Sequence, residues 1–340
     1  MLRHSIILSG VVLMCFGPLL QAATVLVSTT ADNGPGSLRH AIQHAASGDI
    51  IRFRIPKTEP GYVSATGIAC IGLTSGELIL DKNLTIDSAG QKIWLLRASG
   101  NIRIFNIMAG AVTISGLTLY NGAPLQNGGA ILNTGSLSVN SCTFYGNSAV
   151  SGRMGGAIYS TGSLKISNCT FFGNASDSFG GAIANFGSLF LDHATISGNN
   201  SAEAAVANFG TAHVCNTIIV GNTSSRAEKD VRGNFISDGF NAIGRTWNST
   251  GFGRSGDHLA VTPAQVKLGR LQDNGGPTPT MRPGRGSIAV DQGKAEVDSN
   301  TKALKADQCG RARLVDFPEI PNAVGGDGTD IGAVESGPNA

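Results

Sequence analysis

The chain has 340 residues, with 25 basic and 23 acidic side chains and a formal net charge of +2. Only 14% of residues are charged, 41% are hydrophobic and 47 are glycine, which excludes a disordered chain. No basic run or stripe marks a nucleic-acid binder.

The first residues, MLRHSIILSGVVLMCFGPLLQAA, read as a secretory signal over 1–23. Arg3 supplies the positive start and Ile6 to Leu20 the apolar stretch, with cleavage expected after Ala22 or Ala23. Two alternatives stay open: lipidation at Cys15, where Met14 stands in place of a small residue, and an uncleaved anchor. No later segment is apolar for long enough to span a bilayer. The mature chain is therefore expected to be exported, monomeric and without a transmembrane segment, whether periplasmic, surface-held or extracellular.

Residues 24–80 are expected to form an N-terminal cap and first coil. GPGSLRHAIQHAASGD (34–49) predicts a short amphipathic helix, with Ser37 as N-cap, Leu38, Ala41, Ile42 and Ala45 on one face, and Gly48 as the stop. Such a helix would cover the open strand edge of a stack. GELILDKNLTIDSAG (76–90) follows as an early coil that turns at DKN.

Residues 81–260 are expected to hold a repeat. GGAILNTGSLSVNSCTFYGN (128–147), GGAIYSTGSLKISNCTFFGN (155–174) and GGAIANFGSLFLDHATISGN (180–199) are near copies. Thr118, Thr143, Thr170 and Thr195 are separated by 25, 27 and 25 residues, and Asn147, Asn174, Asn199 and Asn222 each follow a glycine. Within a unit the period is two: Leu164 and Ile166 point one way and Lys165 the other. A unit this short cannot bury its own apolar face, but stacked units can. The prediction is an all-β, single-stranded parallel β-helix, right-handed by the general preference of parallel crossovers. Its coils would lie about 4.8 Å apart, with the asparagines in a hydrogen-bonded ladder. The pattern is expected to run on through ISDGFNAIG, with WNSTGFGRSGDHL (247–259) as an inserted loop and 261–340 as an irregular C-terminal cap region.

ADNGPGSLRHAIQHAASGDIIRF with TSGELILDKNLTID resembles the N-terminal part of exported bacterial β-helix proteins of the CSLREA and choice-of-anchor type. LQDNGGPTPTMRPGRGSIAVDQG (271–293), ADQCGRAR and DIGAVE resemble their choice-of-anchor Q region, and the GGAI and FxGN units resemble polymorphic outer membrane protein repeats. The resemblance implies a right-handed β-helix, export and an envelope or extracellular setting. It implies no single activity. The chain ends at ESGPNA without the usual sorting tail or an outer-membrane strand pattern, so self-anchoring is not expected.

Many β-helix proteins cleave polysaccharides. Hydrolysis needs two facing carboxylates, and a lyase needs a base and a neutraliser of the uronate. The repeat core, 111–222, carries only Arg153, Lys165, Asp177, Asp192 and Glu203, and no two of its acids share a column. A non-catalytic surface that contacts glycan or cell envelope is the first expectation. A lyase or hydrolase acting on an acidic polysaccharide, with a site built by the C-terminal segment folding back, is the alternative.

Alternation turns Tyr120, Tyr145 and Phe172 outward as an aromatic column beside the threonines, either a platform for sugar rings or a surface covered by the C-terminal segment. Asp327 and Asp330 read as turn formers, with calcium as the alternative. No other cofactor is expected. Cys142 and Cys169 should face inward one coil apart, as stacked free thiols or a disulfide. His193 and His213 read as surface residues without acid partners.

Overall fold

The computed structural model describes residues 22–226, 230–296 and 304–337, so the signal reading lies almost wholly outside the described residues. The chain winds into a parallel β-solenoid. Each full coil contributes a strand to each of three faces, as in Ile131–Asn133, then Ser136–Asn140, then Thr143–Tyr145. The first face stacks seven strands and the other two stack nine. A narrow fourth strip, Ser148–Ala149 in that coil, stacks four. Every pairing between strands is parallel except Tyr62–Val63 with Ile68–Leu73.

Register follows the repeat. Leu137, Leu164 and Leu189 pair in one row, and Val139, Ile166 and Leu191 in another. All six are buried. Phe144 and Phe171 stack in the interior with ring centroids 4.5 Å apart and planes parallel. Burial of each such side chain is worth about 1.5–3 kcal/mol, and the stack multiplies it coil by coil.

The asparagine column forms its ladder. Asn147 Nδ2 donates to Asn174 Oδ1 at 2.9 Å, Asn174 to Asn199 at 2.8 Å, Asn199 to Asn222 at 2.9 Å and Asn222 to Asp230 at 2.9 Å. Each amide also caps a backbone carbonyl of the coil before, such as Phe144 O from Asn174. All four asparagines are buried and each binds both neighbouring coils, so the ladder pairs the corner backbone groups within the fold.

Between the second and third faces the corner residues Ser141, Asn168, His193 and Asn216 hold φ of 50, 52, 49 and 48°. This left-handed conformation favours asparagine and tolerates histidine. His193 is therefore not a surface residue. The turn sends it under the C-terminal segment, where it is fully buried with Nδ1 2.6 Å from Asp192 Oδ1. His213 is half-buried on the outer surface and does have an acid partner, Asp238 Oδ2 at 3.0 Å. Asp192 is the preceding residue in the chain, while Asp238 comes from the adjacent coil, 25 residues on.

Helix Leu38–His44 starts at Ser37, whose side chain accepts the His40 amide, and it buries Leu38, Ala41 and Ile42 near strands Thr24–Val27 and Leu78–Leu80. At the other end, residues 247–259 are not simply an inserted loop. Thr250 bridges to Asn234 and His258 to Ala242, both in parallel, so the segment makes a thin further rung. The remainder, after a short helix Pro263–Val266, folds back along the third face and its corner.

Candidate functional site

The third face carries two outward columns. The threonine column, Thr118, Thr143, Thr170 and Thr195, is fully buried. Most of its cover comes from the C-terminal segment. Thr143 Oγ1 donates to Pro279 O at 2.6 Å, Thr170 Oγ1 to Gln308 Oε1 at 2.7 Å, and Thr195 Oγ1 accepts the Ala333 amide at 3.0 Å. Gln308 is the central tie. Its amide also donates to Cys142 O, Thr143 Oγ1 and Thr278 Oγ1 at 2.9–3.1 Å.

The aromatic column forms in register, Tyr120 to Tyr145 to Phe172. All three are half-buried. Their ring faces are turned to one another: Tyr120 and Tyr145 stack at 5.1 Å and 22°, Tyr145 and Phe172 at 6.0 Å and 26°. The Cδ2–Cε2 side of Phe172 lies close to Gly198. Within the column the rings therefore stack on one another along the solenoid axis. One coil earlier Trp94 occupies the threonine position and meets Tyr120 edge to face at 5.7 Å.

Facing this surface is a hairpin over 268–283. Gln272 and Thr280 exchange backbone hydrogen bonds at 3.1 and 2.8 Å, and Asn274 Nδ2 braces the tip through Thr280 O at 2.9 Å. The tip is pinned by a Lys92–Asp273 ion pair at 2.5 Å and by Thr278 Oγ1 on Ser141 O at 3.2 Å. Between hairpin and solenoid lies a cleft of about 960 Å³. Trp94, Tyr145 and Phe172 line one wall, and Leu268, Pro277 and Met281 the other. Lys92, Arg270, Gln272 and Asp273, with Thr66 and Thr278, supply its polar groups. The hydrogen bond from Lys92 holds the Asp273 carboxyl below its usual range. Asp273 is the only carboxylate lining the cleft among the described residues.

Beneath the C-terminal segment runs a buried seam of charge. Arg313 is almost fully buried, donates to Asn168 Oδ1 at 2.5 Å and lies 3.6 Å from Glu335. Burial, then the charge of Asp330, pushes Glu335 up to about 9. Asp330 is raised by burial, and Asp291 beside it is raised to about 6, also chiefly by burial. Burial opposes ionisation of Asp192, but His193 and Arg313 outweigh it and hold the carboxyl low.

Asp330 accepts the backbone amides of Asp291 at 2.8 Å and Ser336 at 2.6 Å; Asp327 accepts those of Ala295 at 2.9 Å and Thr329 at 3.2 Å. Their oxygens organise loops. Among the described residues, no three His, Cys, Asp or Glu side chains are grouped as a metal centre needs. Cys142 and Cys169 face inward, fully buried, as free thiols. The Cys142 amide lies 3.4 Å from Cys169 Sγ, and each thiol points at a carbonyl of its own turn. Burial, reinforced by Cys142, pushes the Cys169 thiol well up, which removes it as a nucleophile.

The sequence, compared with known family patterns and with curated proteins, matches none of them. No described helix is long and apolar enough to cross a membrane. The cleft residues Lys92, Trp94, Arg270 and Asp273 escaped the sequence reading. KIWLLR precedes the clear repeats, and the hairpin reaches the solenoid only across 181 residues of chain.

Proposed function

We propose that this chain is an exported, non-catalytic β-solenoid that binds glycan in the cleft between its third face and the 268–283 hairpin. The cleft itself carries the reading. It is large, walled by aromatic and aliphatic side chains and dotted with a few polar groups, the general character of ligand sites. A single cleft carboxylate, already paired with Lys92, argues against a two-carboxylate hydrolase. On this reading the solenoid winds right-handed, helix Leu38–His44 caps its first coil, and the C-terminal segment is of the choice-of-anchor type. The protein acts as a monomer at the cell surface, in the periplasm or outside the cell. Asp327 and Asp330 serve loop structure rather than calcium.

A lyase acting on an acidic polysaccharide is the second reading. It draws on Lys92 and Arg270, since β-elimination needs a base and a cation to neutralise the uronate, and both line the cleft. One experiment separates the two. The mature chain is incubated with uronate and neutral polysaccharides, and reducing ends and unsaturated products are measured beside pull-down on the same polymers. Retention without product supports the binding reading. Product that disappears in Lys92→Ala or Arg270→Ala supports the lyase. Neither retention nor product sinks both.

A further inference from the structure

The glycan reading leaves open which sugars the cleft takes, and two independent features of its walls bear on that. The first is the orientation of the rings. A neutral pyranose stacks its C–H face on an aromatic π-face. Here Tyr145 has Tyr120 on one face and Phe172 on the other. What Tyr145 offers the cleft is ring edge. The edge of an aromatic ring is the positive part of its quadrupole, so the Tyr145 part of this wall favours oxygen and negative charge.

The second feature is the hairpin. Residues 267–285 carry Lys267, Arg270, Arg282 and Arg285 against one acid, Asp273. That acid is neutralised by Lys92, and none of the four cations enters an ion pair among the described residues. Lys267 Nζ donates to Arg285 O, and Arg282 Nε is buried without a hydrogen-bond partner. Arg270 is exposed and lines the cleft. Positive charge therefore gathers on this element of a chain whose formal net charge is only +2. A planar guanidinium free of acids is the group best shaped to hold a carboxylate through two parallel hydrogen bonds.

Resting on the glycan reading, we infer that the cleft selects acidic glycan chains, with Arg270 receiving a uronate carboxylate while the Tyr145 edge faces sugar oxygens. The Lys92–Asp273 pair holds the hairpin tip at the working distance from the rings.

Calorimetric titration of the full chain tests this with oligogalacturonate and oligoalginate, against cello-oligosaccharide of equal length and single-stranded DNA of equal charge. The expected result is binding of an acidic oligosaccharide that weakens with added salt, and at least about tenfold weaker binding in Arg270→Gln. Weak binding of the neutral chain should fall much less than that of the acidic chain in that variant. Arg270 is exposed, so the variant is expected to fold, and an unchanged melting curve verifies it. Equal binding of acidic and neutral chains, with no effect of Arg270→Gln, overturns the selection and leaves the glycan reading standing. No binding of any oligosaccharide overturns both. DNA bound as tightly as the uronate chains overturns glycan selection in favour of a general polyanion surface.

Discussion

Phe172 rests on Gly198: a Cβ built at residue 198 would stand 2.5 Å from Phe172 Cε2. The contact recurs at the glycines before three of the four ladder asparagines; at the fourth, Gly221 meets Ser197 and Pro263 instead. Gly146 and Gly173 lie under Tyr120 and Tyr145 in the same way, with a Cβ 3.3 and 3.5 Å from the ring. Gly198 has φ of +67°, where an L-side chain is strained. Gly198→Ala is expected to cost about 1–2 kcal/mol from backbone strain, plus the displacement of Phe172. The urea midpoint measures it. A midpoint equal to wild type would show that the ring has room to move.

Asn174 is the clearest internal polar dependency. Its side chain donates to Phe144 O and Asn199 Oδ1 and accepts from the amide and side chain of Asn147. Asn174→Ala strands several buried groups at about 1–3 kcal/mol each. The expected outcome is the loss of several kcal/mol, with exchange protection falling first at the Asn147 and Ala175 amides of the same corner. Protection unchanged there would mean that water replaces the ladder.

Gln308 joins the C-terminal segment to three residues of the solenoid, Cys142, Thr143 and Thr170, and to Thr278 of the hairpin. Gln308→Ala is expected to raise hydrogen exchange across 268–283 while the coil amides of Ile158 and Ile183 stay protected. Uniform loss of protection would instead show that the segment and the solenoid unfold as one unit.

Glu335 makes stability depend on pH. Its carboxyl is raised from 4.5 to about 9 in the folded chain. A raised carboxyl holds its proton more tightly when folded, so its contribution is full below the unfolded value and is lost as pH rises toward the folded one. His193 acts oppositely. Burial, then Arg313, lowers it from 6.5, so stability falls as pH drops below that value. The melting temperature is expected to decline from about pH 6 to about pH 9, and Glu335→Gln to lose most of that slope. A wild-type profile flat over the same range would contradict the raised carboxyl.

Cys142 and Cys169 are expected to react with a thiol reagent only after unfolding, because burial hides both and keeps the Cys169 thiol protonated. Intact mass after alkylation under denaturing, non-reducing conditions checks this. A mass showing both residues unmodified would point to a disulfide.

The sequence alone determined the solenoid. GSLKIS and its copies alternate with period two, and a nearly constant interval returns Leu164 to Leu137 and Asn174 to Asn147. Those facts are local, and stacking identical units converts them directly into register. The same logic turned Cys142 inward and Tyr145 outward. The cleft needed the tertiary structure. Whether Tyr145 offers a face or an edge depends on side-chain rotation against neighbouring coils, which alternation does not encode. His193 reads as surface in LDHATIS, yet the left-handed corner and the returning C-terminal segment bury it. Lys92 and Asp273, or Thr143 and Pro279, meet only because an irregular segment folds back over a regular one. Such a segment has no period, and its contacts are single hydrogen bonds and ion pairs between residues far apart in the chain. Repetition writes the stack into the sequence; the cleft arises where the repetition stops.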